Sequence, residues 1–295
     1  MNVSRVDFEE RGTKEIMATF SSSSKKEKPD EELRQAIVEK GIRERLFSKP
    51  GDPLYLPLSD LLLAVKKAAT SEPVTVLDYG AGLAPYRTLF PNSQYRTADV
   101  GRSETCCDGL IGTPARNENF EAPDYTISPD GRIPEESNKL DYILSTQVLE
   151  HVPNPETHLS ECFRLLKPGG KLFLTTHGSY EDHGSPYDYH RWTVEGLKYD
   201  LQKTGFEVLS IEKLTTGPRA ILWFLQMYLE TMSTSRKSML GLVHWFCRAV
   251  PRRWIHTQAD RLYSDCRMVS SDAPGHNIYL CLSASAQRPA EAMRS

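Results

Sequence analysis

The sequence lacks the features that mark secreted, membrane-spanning and nucleic-acid-binding proteins. Its 295 residues include only six cysteines, with no C-x-x-C pair and no charged-then-apolar leader, so neither a disulfide framework nor secretion is expected. The net charge of −3 provides no field that would attract nucleic acid. The apolar runs are too short to cross a bilayer. We therefore expect a reduced, cytoplasmic protein whose partner is not a nucleic acid.

An apolar run that breaks at two glycines, VTVLDYGAGLA at residues 74–84, is the most informative stretch of the chain. Its first half has the composition of a strand that is buried on both faces of a parallel sheet. Gly80 and Gly82 then permit a tight turn to which a ligand can approach without meeting a Cβ. Asp78 places a carboxylate at the end of the strand, the position where open α/β sheets bind ligands.

One residue favours a cofactor without phosphate at this turn. A dinucleotide fingerprint on the two glycines needs a small third residue where this chain has Pro85, and proline lacks the N–H that would hold a pyrophosphate. S-adenosylmethionine has no phosphate, but its ribose needs an acceptor. Asp99 provides one at the end of a second strand-like run, about 20 residues beyond the turn. An ordinary strand-to-helix turn explains the glycines but does not predict Asp99.

Three segments and this carboxylate, in order, resemble the class I S-adenosylmethionine-dependent methyltransferases: LDYGAGLA at 77–84, Asp99, LDYILSTQVLEHV at 140–152 and ECFRLLKPGGKLFLTT at 161–176. The resemblance covers residues 58 to 213 and points to the branch with LEHV and R-x-L-K-P-G-G segments. It implies an α/β fold, a Rossmann-like, doubly wound sheet of seven mostly parallel strands with an antiparallel last strand. It also implies S-adenosyl-L-methionine as the cofactor.

The cofactor contacts follow from the turn and from the resemblance. They are Asp78, Gly80, Gly82, Ala84, Asp99, Asp130 and Gln147. Ala84 stands where the family often has a third glycine. Asp99 is expected to bond both ribose hydroxyls, and the resemblance implies that Asp130 bonds the adenine amino group, with a surface-turn role as the alternative.

A segment rich in aromatic and ionisable side chains, residues 177–193, follows the strand predicted at 171–176. It leaves the sheet edge where the methyl group would lie, and binding groups collect on such loops. The D-Y-x-R-x-T pattern of the resembled branch is matched here. The predicted substrate contacts are Tyr187, Tyr189 and Arg191, although Arg191 pairing with a carboxylate of the fold is the alternative.

Methyl transfer requires alignment of the acceptor and removal of its proton, a task that histidine performs near neutral pH. The candidate catalytic bases are, in order, His177, His151 and His190. A hydrogen-bonded structural role is the alternative for each. No recognised metal-ligand spacing occurs and no metal is predicted, the alternative being a divalent site formed by Asp182, His183, Asp188 and His190.

The remainder of the chain divides around this core. We expect a disordered tail at 1–30, an N-terminal helical cap at 31–57, the cofactor-binding core at 58–213, a helical insertion at 214–276, the last core strand at 277–285 and a tail at 286–295. The insertion separates two strands that a short hairpin joins in the resembled fold. Its apolar stretch at 220–254 forms either a lid over the substrate or a peripheral membrane contact.

These observations predict a methyltransferase that uses S-adenosylmethionine to methylate a small-molecule, glycan or lipid-linked acceptor at a hydroxyl oxygen. The alternative is a binding or regulatory protein that keeps the fold without the chemistry. The many polar side chains at 177–193 argue against that alternative.

Overall fold

The computed structural model describes residues 31–100, 122–184, 186–231, 241, 245 and 249–290. The expected N-terminal tail, the loop 101–121, most of the apolar run at 239–250 and residues 291–295 lie outside the described residues. The principal helices are α1 (Glu31–Phe47), α2 (Tyr55–Ala68), α3 (Pro155–Leu165), α4 (Val194–Lys203), α5 (Gly217–Thr231) and α6 (Arg252–Leu262). The strands are β1 (Thr75–Tyr79), β2 (Gln94–Val100), β3 (Tyr125–Ile127), β4 (Leu140–Thr146), β5 (Leu166–His177), β6 (Glu207–Thr216), β7 (Met268–Ser270) and β8 (Tyr279–Gln287).

The strands form one mixed sheet in the order β3-β2-β1-β4-β5-β8-β6-β7. The first five in that order are parallel, and β8 lies antiparallel between β5 and β6. The Rossmann-like fold with an antiparallel last strand is therefore confirmed. The sheet has eight strands rather than the seven expected, because β7 in the insertion adds to the outer edge of β6. A strand of three residues carries too little alternation to be read from the sequence.

Helices cover both faces of the sheet, as a doubly wound fold requires. On one face, Leu159 of α3 and Leu197 of α4 are fully buried in the core. On the other face, Leu61 of α2 packs in a second core with Trp223 of α5 and Ala259 of α6. The insertion therefore covers the same face as α2 and supplies part of its core.

A buried ion cluster ties the insertion to helix α2. Asp60 of α2 accepts two hydrogen bonds from Arg219 of α5, each 2.9 Å long, and a third of 2.7 Å from Arg267. Arg219 also donates to Asp260 of α6 at 2.9 Å. The side chains of Asp60 and Arg219 have no exposed surface. Because both charges are removed from water, each depends on the other for its stability.

The C-terminal boundary differs from the expected one. Strand β8 extends to Gln287, two residues into the segment expected to fray. Arg288 then donates to the carbonyl oxygens of Phe163 and Leu166 at the end of α3. Because the last carbonyl groups of a helix have no partner within it, the arginine caps the end of α3.

The insertion also presents an apolar surface to solvent. Ile221, Leu225 and Tyr228 of α5 are about half exposed and recur at helical spacing. No helix within the described residues combines the length and the apolar character that a membrane span requires.

The ion cluster predicts a large loss of stability when its arginine is removed. Arg219→Met keeps the apolar stem but leaves Asp60 with fewer partners, so the free energy of unfolding should fall by about 3–5 kcal/mol. Chemical denaturation followed by circular dichroism measures this change. The matched control is Lys67→Met, which breaks the exposed pair between Lys67 and Glu212 and should cost at most about 1 kcal/mol. Equal losses in the two variants would contradict the proposed anchoring role.

Candidate active site

The carboxyl end of β1 carries a buried carboxylate. Asp78 is 1% exposed, and its Oδ2 accepts a 2.6 Å hydrogen bond from the hydroxyl of Tyr95. Its Oδ1 is buried without a hydrogen-bond partner. Burial raises the pKa of Asp78 to about 7, although the hydrogen bond from Tyr95 opposes the shift. A buried oxygen without a partner is costly, and a cationic or hydrogen-bond-donating ligand would satisfy it.

The turn after Asp78 has a left-handed backbone at three positions. The φ angles are 80° at Gly80, 54° at Gly82 and 48° at Ala84. The last value explains why glycine suits the position of Ala84, since residues with a Cβ are strained in this region. At Gly80 the space is filled by protein rather than left for a ligand. A Cβ there would lie 2.5 Å from Cγ2 of Val148, so glycine is needed for this contact.

The side chain of Asp99 lies beside the same turn. Its Oδ2 accepts a 2.7 Å hydrogen bond from the N–H of Gly82, which fixes the carboxylate of β2 beside the turn that follows β1. The two predicted cofactor groups are thus brought together, because β1 and β2 are parallel neighbours with their carboxyl ends at one edge.

The other two predicted cofactor contacts have protein partners. Asp130 lies in an exposed turn after β3, where the Ser128 hydroxyl donates to it and lowers its pKa. This is the geometry of a surface turn, and the adenine contact stays a prediction. Gln147 follows β4 with a φ of 55°, and its side chain donates to the hydroxyl of Thr175 on β5 at 3.1 Å.

A short 3-10 helix, Leu149–His151, places Glu150 against the end of β5. Glu150 is fully buried, and its Oε2 accepts a 2.9 Å hydrogen bond from the hydroxyl of Thr176. Its Oε1 lies 3.3 Å from Nδ1 of His177. Burial raises the pKa of Glu150 to about 7 and lowers that of His177 well below its usual value. The first candidate base therefore lies beside a buried carboxyl group, in surroundings where burial disfavours its protonated form.

Aromatic rings surround His177 and connect it to the insertion. Its ring stacks on Tyr180 with centroids 4.0 Å apart, and Tyr180 stacks on Trp223 of α5 at 4.8 Å. His183 lies 4.5 Å from His177 and 4.8 Å from His151, measured between ring centroids. The structure thus brings together two of the three candidate bases. Tyr180, Glu150 and Trp223 were not predicted as site residues, since only the tertiary fold makes them neighbours.

The loop between β5 and α4 is held by its own ion pair. Arg191 donates to both carboxylate oxygens of Asp188, at 2.6 and 2.7 Å, and to the carbonyl oxygens of His190 and Glu181. These contacts match the structural alternative for Arg191, and its contact with substrate stays a prediction. The side chain of Tyr189 is 44% exposed. The backbone carbonyl oxygen of Tyr187 lies 2.7 Å from Nδ1 of His151, from which it accepts a hydrogen bond.

His190 lies apart from the other candidate bases. Its Nε2 is 3.3 Å from the carbonyl oxygen of Pro153, and its ring packs beside Trp192. It lines a cavity of about 290 Å³ beside α4, together with Asn154, Pro155, Glu156, Arg191, Trp192, Asp200 and Lys203. The lining does not include His177 or His151, so His190 is poorly placed to act with them.

Comparison with known proteins identifies the core. A family described as "Methyltransferase domain" matches residues 43–211, more than half of the chain. A ubiquinone biosynthesis O-methyltransferase from Coxiella burnetii is 28% identical over 127 residues, which are 42% of this chain and 52% of that protein. Phosphoethanolamine N-methyltransferase 2 from Caenorhabditis elegans is 30% identical over 105 residues, which are 32% of this chain and 24% of that protein. The chain thus spans about half the length, or less, of these curated relatives.

Solved structures have a similar architecture at low sequence identity. Phosphoethanolamine N-methyltransferase 2 from Haemonchus contortus, solved in complex with S-adenosyl-L-methionine, is 17% identical with a TM-score of 0.46. The alignment covers 87% of this chain and 57% of that chain. On the evidence of the family match, the chain belongs to the methyltransferase-domain family, as its sequence resemblance to the class I S-adenosylmethionine-dependent methyltransferases predicts.

Proposed function

We propose that the chain transfers a methyl group from S-adenosylmethionine to a hydroxyl oxygen of a small-molecule, glycan or lipid-linked acceptor. The observation that carries the proposal is the path of residues 148–152, which comprise Val148 and the LEHV segment. Val148 packs against Gly80 of the cofactor turn, and Glu150, two residues further on, lies beside His177. The cofactor turn and the candidate base are therefore held at one edge of the sheet by a single short segment.

The residues at the turn fit S-adenosylmethionine. The cofactor is cationic at its sulfonium and amino groups, and Asp78 offers a buried carboxylate oxygen that has no protein partner. Asp99, fixed by the N–H of Gly82, would hold the ribose, and Asp130 would hold the adenine. The cofactor supplies an electrophilic methyl group that is displaced in line by the acceptor.

At the acceptor side, His177 takes the proton that the hydroxyl loses as its oxygen bonds to the methyl carbon and the carbon–sulfur bond breaks. The carboxylate of Glu150 then stabilises the imidazolium, since its Oε1 faces Nδ1 of His177 at 3.3 Å. A proton acceptor of this kind assists a hydroxyl more than an amine, which is already a nucleophile when neutral. We therefore favour oxygen over nitrogen as the acceptor atom.

The insertion acts as a lid in this proposal. Trp223 of α5 stacks on Tyr180, which in turn stacks on His177, so the insertion contacts the rings beside the candidate base. An apolar wall of this kind suits an apolar or amphiphilic acceptor and excludes water. The exposed stripe of Ile221, Leu225 and Tyr228 supports the alternative of a membrane-surface contact.

The cofactor site predicts that Asp99→Ala weakens S-adenosylmethionine binding in a chain that stays folded. Loss of hydrogen bonds to a charged group should cost about 1.5–3 kcal/mol. Isothermal titration calorimetry with S-adenosylmethionine measures this, with NAD as the comparison ligand. Unchanged affinity in a folded Asp99→Ala protein would remove Asp99 from the site, and binding of NAD instead of S-adenosylmethionine would overturn the proposed cofactor.

The adenine contact of Asp130 has a matched control within the chain. Asp130 and Asp272 are both exposed turn aspartates that accept a hydrogen bond from a serine two residues earlier, Ser128 and Ser270. Asp130→Ala should weaken S-adenosylmethionine binding, because it removes an acceptor for the adenine amino group, whereas Asp272→Ala should not. Equal affinities in the two variants, measured by the same calorimetry, would show that Asp130 does not contact the cofactor and has only a structural role.

The acceptor site predicts a loss of rate without a loss of cofactor affinity. His177→Ala should lower kcat by about 10²–10⁴-fold, the usual scale of general-base catalysis, while His190→Ala should retain most of the rate. Transfer of labelled methyl from S-adenosylmethionine to a panel of phenols, sugars and amines identifies an acceptor for the measurement. Mass spectrometry of the product shows which atom is methylated. A His177→Ala enzyme with nearly the wild-type rate would exclude His177 as the base, and an N-methylated product would contradict the hydroxyl acceptor.

A further inference from the structure

Beside His177, the loop and the LEHV segment bring together three potential metal ligands. A carboxylate oxygen of Glu150 and one ring nitrogen each of His151 and His183 all lie within 4.8 Å of one another. Glu150 is fully buried, and the two histidines are partly buried. Only His183 belongs to the set of residues that the sequence offered as an alternative metal site.

Two atoms of this cluster are buried without a hydrogen-bond partner. They are Oε1 of Glu150, which lies 3.3 Å from Nδ1 of His177, and Nδ1 of His183, which lies 3.7 Å from a carboxylate oxygen of Asp188. Each such atom costs about 1–3 kcal/mol when it is left unsatisfied. A cation that these two atoms coordinate would satisfy both, because it binds lone pairs rather than protons.

Outer contacts hold the ligands in place, as they do in metal sites. Nδ1 of His151 lies 2.7 Å from the carbonyl oxygen of Tyr187. That oxygen can only accept, so Nδ1 carries the proton and the lone pair is on Nε2. The Thr176 hydroxyl fixes the other oxygen of Glu150.

The loop that carries His183 is fixed in a similar way. The backbone N–H of His183 donates to Asp188 at 2.8 Å. Asp188 is held in turn by both terminal nitrogens of Arg191. The ion pair of Asp188 therefore orders the loop around His183, and Asp188 itself is occupied by the arginine.

We propose that Glu150, His151 and His183 bind one divalent first-row transition-metal ion, such as Zn²⁺. Two imidazoles and one carboxylate match catalytic zinc sites, which use three protein ligands and leave a position for water or substrate. Mg²⁺ and Ca²⁺ prefer sites made entirely of oxygen. The ion would hold the acceptor's oxygen beside His177, and Oε1 of Glu150 would then bind the ion in place of its contact with Nδ1 of His177. That role rests on the proposed function, whereas binding of the ion does not.

Metal titration of the full chain tests the site without any assay of methyl transfer. The protein is freed of metal with a chelator and titrated with Co²⁺, followed by its visible absorption, and then with Zn²⁺ in competition with a chromophoric chelator. We expect one equivalent of Zn²⁺ per chain and no competition from equimolar Mg²⁺. His183→Ala and the nearly isosteric Glu150→Gln should each lower the affinity for Zn²⁺ by at least about 100-fold. Loss of an outer contact lowers metal affinity by up to about 100-fold, and loss of a ligand should cost at least as much.

Matched variants separate this site from incidental binding. His190→Ala removes a partly exposed histidine of the same loop and should leave Zn²⁺ affinity unchanged. Circular dichroism and S-adenosylmethionine calorimetry on His183→Ala report whether the fold and the cofactor site are intact, so that a failure of the metal site and a failure of the proposed function are distinguished. The proposal is overturned if the wild-type chain binds neither Co²⁺ nor Zn²⁺. It is also overturned if the Glu150 and His183 variants bind Zn²⁺ as the wild type does, or if Mg²⁺ displaces it.

Discussion

The close approach of Val148 to Gly80 is the constraint on which the site depends. A Cβ at position 80 would lie 2.5 Å from the Val148 side chain, a distance that close packing does not permit. The absence of that Cβ lets the segment after β4 cross directly over the turn after β1. From there the 3-10 helix Leu149–His151 carries Glu150 to the end of β5. The absence of a side chain at Gly80 thus permits the packing that joins the turn after β1 to Glu150 and the end of β5.

The site maintains two buried carboxylates at a cost to stability. Burial raises the pKa values of Asp78 and Glu150, each to about 7, so their ionised forms are less favourable in the fold than in water. Each also has one oxygen without a hydrogen-bond partner. Groups of this kind are common at sites that bind cations or move protons. The rest of the sheet edge compensates, since hydroxyl groups of Tyr95 and Thr176 hold the remaining oxygens.

The insertion is part of the core and packs against the rings beside His177. Its α5 helix supplies Arg219 to a buried carboxylate of α2 and Trp223 to the second core. Through Tyr180, Trp223 is connected by stacked rings to His177. Because packed side chains transmit displacements to their neighbours, the position of α5 and the surroundings of His177 are linked. An insertion that carried only an exposed surface would have no such connection.

The sequence by itself determined the fold class, the glycine turn after β1 and most of the secondary structure. These depend on local patterns, such as the buried strand that runs into Gly80 and the carboxylate of Asp99 at the end of the next strand. The three-residue strand β7 was missed because its pattern is too short, and the extent of β8 was underestimated because pairing with β5 and β6 sets its end.

Only the tertiary structure decided which polar side chains meet. Glu150 and His177 are distant in sequence and become neighbours because β4 and β5 are parallel and end at one edge. His190, which the sequence places among the same candidates, lies beside a separate cavity next to α4. The direction of a side chain in a loop depends on long-range contacts, such as the 2.7 Å contact between Nδ1 of His151 and the carbonyl oxygen of Tyr187. Residue type and spacing identify the chemistry that such a segment offers, whereas the packing of the whole chain selects the groups that act together.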